Sequence, residues 1–122
     1  MEIQQLIDLA FQNECDKGFN EVAEQVIRRS ESDPELSDAL ASAFAAQKIA
    51  LITSELSEML EGVRKPGPDA HCPEFTSEEI EWADAMIRLA TYAGWRGLRA
   101  TEALQAKMAF NTTRPHKHGK AF

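Results

Sequence analysis

The feature that most restricts this chain is where its helix breakers fall. Proline occurs only at positions 34, 66, 68, 73 and 115, and neither proline nor glycine interrupts the stretch from Glu35 to Glu61. A proline inside a helix removes a backbone donor and clashes with the preceding turn, so its absence leaves a long helix unopposed. Asp33-Pro34 reads as a cap followed by a first-turn proline, which opens a helix running from Glu35 to about Arg64, either continuous or bent once. At ~1.5 Å per residue such a helix spans ~45 Å, more than the width of a domain of this length. Part of its flank is therefore expected to pack on another copy, giving a homo-oligomer, a dimer or a dimer of dimers.

Breakers and caps divide the remainder similarly. Ile3, Leu6, Ile7, Ala10 and Phe11 recur at helical spacing up to about Asp16, and Gly18 reads as the stop. Glu21 to Arg29 is a shorter helical candidate. Lys65 to Phe75, with three prolines and Gly67, reads as a loop. Thr76 with Glu79 forms a capping box for a helix expected to run to about Ala93 and stop at Gly94. A last helix is expected from about Arg99 to Asn111, ended by Pro115. No alternating run of β-branched residues competes, so the fold class is all-α: one domain over residues 1–122, a bundle of four to five helices with its site between helices.

The 122 residues hold 13 Lys and Arg against 20 Asp and Glu, a net charge of -7, which disfavours a nucleic-acid polymer as partner. Four of the basic residues, Lys107, Arg114, Lys117 and Lys120, fall after position 106 with no acid among them, so residues 111–122 read as a basic tail on an acidic body. A metal-chelated nucleotide would use both, its cations taking carboxylates and its phosphates Lys and Arg. No stretch is long and apolar enough for a membrane span, and the start lacks the pattern of a signal peptide, so a cytoplasmic location is expected. Cys15 and Cys72 are expected to be reduced, too few for a disulfide framework or a zinc site.

Chemistry concentrates in three places. Glu55 and Glu58 are three apart on the long helix, close enough to hold one cation between them. They share a flank with Lys48, Leu51 and Gly62, beside an expected core stripe of Ile49, Ile52, Leu56, Met59, Leu60 and Val63. Glu81 and Asp84 repeat the device on the next helix, with Arg88 on the same side. Four carboxylates from two helices make a hard oxygen donor set suited to Mg²⁺ or Mn²⁺, and the absence of Glu-x-x-His excludes a di-iron site. Lys107, Asn111 and Arg114, spaced four and three apart, lie on one side of the last helix and its exit, where an anion would offset the charge turned toward apolar neighbours.

In combination, Glu55-x-x-Glu58, 22 intervening residues, Glu81-x-x-Asp84 and Lys107-x-x-x-Asn111-x-x-Arg114 resemble the MazG-like branch of the all-α nucleoside triphosphate pyrophosphohydrolases. The phrase from Lys107 to Lys120 is similar to the ending of small phage and bacterial members, and the likeness covers roughly residues 47–122. The resemblance implies cleavage between the α and β phosphates of a nucleoside triphosphate, releasing a nucleoside monophosphate and pyrophosphate. It implies two or three Mg²⁺ ions, with Mn²⁺ as substitute, on Glu55, Glu58, Glu81 and Asp84, and phosphate contacts from Lys107, Asn111 and Arg114. A water activated by metal would attack the α-phosphorus in line, assisted by Glu58 or Glu55. Phe19 and Asn20, after Gly18, are candidates to stack on and pair with the base, and small phage-like members incline toward deoxynucleotides such as dGTP. Hydrolysis of dUTP or phosphoribosyl-ATP on the same architecture, or a non-enzymatic acidic protein that docks a partner, are the alternatives. His116 and His118 read as tail residues, and Trp82 and Trp95 as core or interface anchors.

Overall fold

Local chemistry at the caps sets where each helix starts. In the computed structural model, which describes residues 1–122, α1 spans Ile3–Asp16 and opens where Gln5 Oε1 accepts from the Glu2 amide at 3.0 Å. α2 covers Glu21–Arg29, after a turn in which Gly18 takes φ 80°, a left-handed value that glycine adopts without strain. α3 is a single unbroken helix, Pro34–Arg64, whose first turn is capped by the Asp33 carboxylate accepting from the Leu36 amide at 3.1 Å. α4, Ser77–Arg96, begins at the expected capping box. The Thr76 hydroxyl accepts from the Glu79 amide at 3.2 Å, and the Glu79 carboxylate accepts from the Thr76 amide at 2.8 Å. α5 is Ala100–Thr112, followed by a short 3-10 turn at His116–Gly119.

The architecture is all-helical, as the breaker spacing predicts, with five helices and no strand beyond an isolated bridge between Pro68 and Thr76. No helix is long and apolar enough to cross a membrane. α3 packs principally on α4, α4 also on α1, and α2 on α3. The α3–α4 contact closes at Gly62, where a Cβ would lie 2.9 Å from the Glu78 amide nitrogen. α1 crosses α4 at Gly94, where a Cβ would lie 2.7 Å from Phe11 Cβ. That crossing corrects the expected stop: α4 continues through Gly94 and ends at Gly97, with φ 63°. Gly94 is there for close approach, and Gly97 is the left-handed C-cap.

The core is small. It centres on Ile7, Ala90 and Ala93, with Ile3, Leu6, Ala10 and Ala100 against them. On α3 the buried or half-buried row is Ala45, Lys48, Ile52, Glu55, Met59 and Gly62, the row that faces α4. The expected core stripe is thereby corrected. Ile52 is buried and Met59 half-buried, but Ile49, Leu56, Leu60 and Val63 are exposed within one chain. The flank that carries Glu55, rotated from that stripe, is what packs.

Candidate metal centre

Because the α3 row Lys48, Ile52, Glu55, Met59 turns toward α4, a glutamate enters the helix interface. Glu55 is 8% exposed. From α4, Glu81 and Asp84 point at the same place, both half-buried. Glu55, Glu81 and Asp84 each present a carboxylate oxygen, and the three oxygens lie within 4.8 Å of one another. Glu58, one turn further along α3, is exposed and shares a small polar cleft with Glu81 and Lys65.

Concentrating negative charge here has a visible electrostatic cost. Burial pushes the Glu81 pKa up, and the adjacent Glu58 pushes it further, with lesser effects from Asp84 and Glu55. Asp84 is raised by burial and then by Glu55, opposed by the Arg88 guanidinium. Arg88 Nε donates to Glu55 Oε1, compensating one of the three carboxylates. No such cation reaches Glu81: its Oε2 is shielded from water and accepts no hydrogen bond, and the neighbouring Glu58 carboxyl can bond Glu81 only by sharing a proton, which also raises its pKa. An orphaned acceptor within a ring of hard oxygen donors fits a divalent cation, which would satisfy it and relieve the mutual repulsion.

The other expected site residues distribute unevenly. Phe19 is exposed and lines two adjoining cavities, one of about 290 Å³ that also includes Glu55 and Asp84, and one of about 320 Å³ beyond it. Asn20 is corrected from base reader to internal strut. It is 2% exposed, donating to Glu14 Oε2 at 2.8 Å and accepting from Lys48 Nζ at 2.7 Å, so both ends of its amide are taken. Lys107, Asn111 and Arg114 are not brought to the carboxylates within one chain. α5 has no buried residue and meets α1 near Ala100. Lys107 and Arg114 instead lie over the Phe110 ring, at 4.8 Å and 5.8 Å from its centroid. Neither cleft lined by the carboxylates includes an α5 residue.

Sequence reasoning missed two features. Arg88 stands with Glu81 and Asp84 on the expected polar side, but its partner is Glu55 across the interface, a pairing that a four-residue spacing within α4 cannot reveal. The Glu14, Asn20 and Lys48 cluster joins positions on α1, before α2 and on α3, and only its amphipathic mismatch, a lysine in a packed row, signals it. In the 65–75 loop, Asp69 accepts from the His71 and Cys72 amides, each at 2.8 Å, and these bonds hold its carboxyl below the usual range. Cys15 and Cys72 are both free thiols.

Compared with protein-family models, with curated proteins and with solved structures, the chain matches none.

Proposed function

We propose that this protein is a divalent-metal-dependent nucleoside triphosphate pyrophosphohydrolase of the MazG-like type, converting a (d)NTP and water to a (d)NMP and pyrophosphate. The observation that carries the reading is the triad of Glu55, Glu81 and Asp84, with oxygens within 4.8 Å of one another and one Glu81 oxygen left without a partner. Mg²⁺, or Mn²⁺ in its place, would supply Lewis-acid polarisation of phosphate oxygens and a more acidic water. Glu55, Glu81 and Asp84 would hold the cation, and Glu58, exposed beside Glu81, would extend the site to further cation or take a proton from water. The leaving group is pyrophosphate.

Lys107, Asn111 and Arg114 retain the phosphate role in this reading, and their separation from the carboxylates makes the oligomer part of it. One subunit's α5 donates the trio to the acidic face of another. Two features support such assembly: α5 has no buried residue and touches the body of its own chain chiefly near Ala100, and α3 exposes an apolar row of Ile49, Leu56, Leu60 and Val63. Cytoplasmic nucleotides are the substrates, so the cytoplasm is the location that goes with this reading.

The deciding experiment incubates the purified chain with each of the eight common nucleoside triphosphates, with and without Mg²⁺, and measures pyrophosphate release. Release that requires the metal is the expected result. Absence of release from every nucleotide in both Mg²⁺ and Mn²⁺ overturns the proposal, and leaves the acidic docking protein as the better account.

A further inference from the structure

Arg88 is only partly used by the ion pair that ties it to the carboxylates. Its Nε donates to Glu55 Oε1 across the α3–α4 interface, and neither Nη1 nor Nη2 makes a hydrogen bond or an ion pair within the chain. A guanidinium carries five N–H donors in one plane, so four remain unengaged. The Arg88 side chain is 42% exposed against 10% for Glu55, so the pair is closed at the carboxylate and open at the guanidinium.

That open end does not face bulk solvent alone. Arg88 lines the cavity of about 290 Å³ together with Glu55 and Asp84, and it also lines the adjoining cavity of about 320 Å³. Asn13, whose side-chain amide makes no hydrogen bond within the chain, stands in the first of these. Uncommitted donors therefore border the space directly beside the cluster of acidic oxygens.

Charge decides what such donors can take. Glu14, Glu55 and Asp84 face this cavity with Arg88 as its one cationic residue, and Glu14 is already answered by Lys48 at 3.5 Å. Glu55 and Asp84 together outweigh the guanidinium, so a free anion is repelled. A divalent cation on Glu55, Glu81 and Asp84 reverses that balance by taking over the charge of Glu55. The guanidinium then stands in a partly enclosed space with its partner's charge spent, which is costly unless an anion meets it. Its planar fork matches two oxygens of a phosphoryl group.

We propose that Arg88 is a phosphoryl-binding residue gated by the cation: its Nη donors take up phosphoryl oxygens only when that group arrives chelated to a divalent ion at Glu55, Glu81 and Asp84. This inference rests on the cation reading of the carboxylates. It adds a phosphate contact from the same chain as the acidic triad, separate from Lys107, Asn111 and Arg114.

The test uses calorimetry at neutral pH on the full chain. Inorganic pyrophosphate is titrated in excess Mg²⁺ and in EDTA, and Mn²⁺ alone in a separate run. The wild-type chain is expected to bind pyrophosphate in Mg²⁺ and not in EDTA. Arg88→Met should weaken pyrophosphate in Mg²⁺ by about tenfold or more. Mn²⁺ alone should bind this variant as tightly as wild type or more so, because a positive charge beside the cation is gone. Arg88→Lys, which keeps the charge and loses the fork, should recover only part of the pyrophosphate affinity. A guanidinium that merely braces Glu55 gives another pattern, in which Mn²⁺ and pyrophosphate affinity fall together in Arg88→Met, and that result overturns the proposal. Unchanged pyrophosphate affinity in Arg88→Met, or wild-type binding in EDTA equal to that in Mg²⁺, overturns it as well. Should Arg88→Met fail to fold by circular dichroism, Arg88→Lys decides, and pyrophosphate affinity equal to wild type overturns the proposal. A chain that binds Mn²⁺ and pyrophosphate as expected but hydrolyses no nucleotide keeps this role for Arg88 and loses the reaction; a wild type that binds no divalent cation overturns both.

Discussion

Glu81 and Asp84 hold their charges against burial and against each other, and this makes the stability of the protein depend on pH and on cations in a defined direction. Both carboxyls have raised pKa values, caused first by burial and then by Glu58 in one case and Glu55 in the other. Asp69 adds to the field on Asp84, and Arg88 opposes it. The folded chain thus holds these protons more tightly than the unfolded chain does. Their contribution to stability is complete below the ordinary carboxylate pKa, about 4, and is lost as pH rises through the raised folded values. Above about pH 5, where the opposite contribution of the depressed Asp69 and Glu79 carboxyls is already complete, the melting temperature without divalent cation is expected to fall as pH rises, and Mn²⁺ at neutral pH to raise it again. Glu81→Gln should flatten that slope and shrink the Mn²⁺ shift, both read by calorimetry at a series of pH values. Asp84→Asn should leave the metal-free protein as stable as wild type or more so, because it deletes one of several like charges, yet lower turnover by at least about a hundredfold through loss of the cation. An Asp84→Asn protein with normal hydrolysis would remove the metal assignment. At this scale the acidic residues were legible, since i, i+3 spacing fixes which carboxylates share a helix face. What spacing leaves open is the partner across the interface, and so Asn20 was misread: nothing local distinguishes an amide at a helix start from one locked between Glu14 and Lys48.

Elements bring these residues together through two glycines that have different jobs from those at turns. At Gly62, α3 meets the first turn of α4, and an added methyl group would press on backbone at Glu78 and Ser77, which cannot swing aside. Gly62→Ala is expected to cost about 1–3 kcal/mol in urea unfolding, and to part the helices near Glu58 and Glu81, one turn from the contact. Its diagnostic signature is a loss of Mn²⁺ affinity together with stability; a destabilised variant that binds Mn²⁺ as tightly as wild type would show that the α3–α4 spacing does not set the site. Gly94 plays the same part where α1 crosses α4, against Phe11. A glycine near the end of a helical pattern reads as a stop, and here two glycines three residues apart compete for that role. Only the tertiary crossing decides that Gly94 belongs to packing and Gly97 to the cap, whereas the start of α4 was legible because the capping box of Thr76 and Glu79 is purely local.

Across the molecule, the surface is larger than a chain this size should keep. The accessible area is 9214 Å², against about 6,600 Å² for a folded monomer of the same mass. Only 11 of the 122 residues are buried, which is too few to account for the apolar residues present. The excess, about 2,600 Å² per chain, is of the size that obligate interfaces cover. Its composition fits the same purpose, because Ile49, Leu56, Leu60 and Val63 line one side of α3 away from α4, and Trp82, Met108 and Phe110 are also more than half exposed or nearly so. The periodicity of α3 reads as a core stripe, yet within one chain Ile49, Leu56, Leu60 and Val63 are exposed; in the proposed assembly another copy would cover them. Light scattering at micromolar concentration should therefore give a mass of two or four times 13.6 kDa. Leu60→Glu, which puts a charge in the middle of the stripe, should yield a monomer that retains its helical circular dichroism. On the proposed reading, in which Glu55, Glu81 and Asp84 of one chain meet Lys107, Asn111 and Arg114 of another, it should also lose hydrolysis while keeping Mn²⁺ affinity. A monomeric wild type, or a monomeric Leu60→Glu protein with full activity, would require α5 to fold back onto its own α3 and α4, and the donation of the trio between subunits would be wrong.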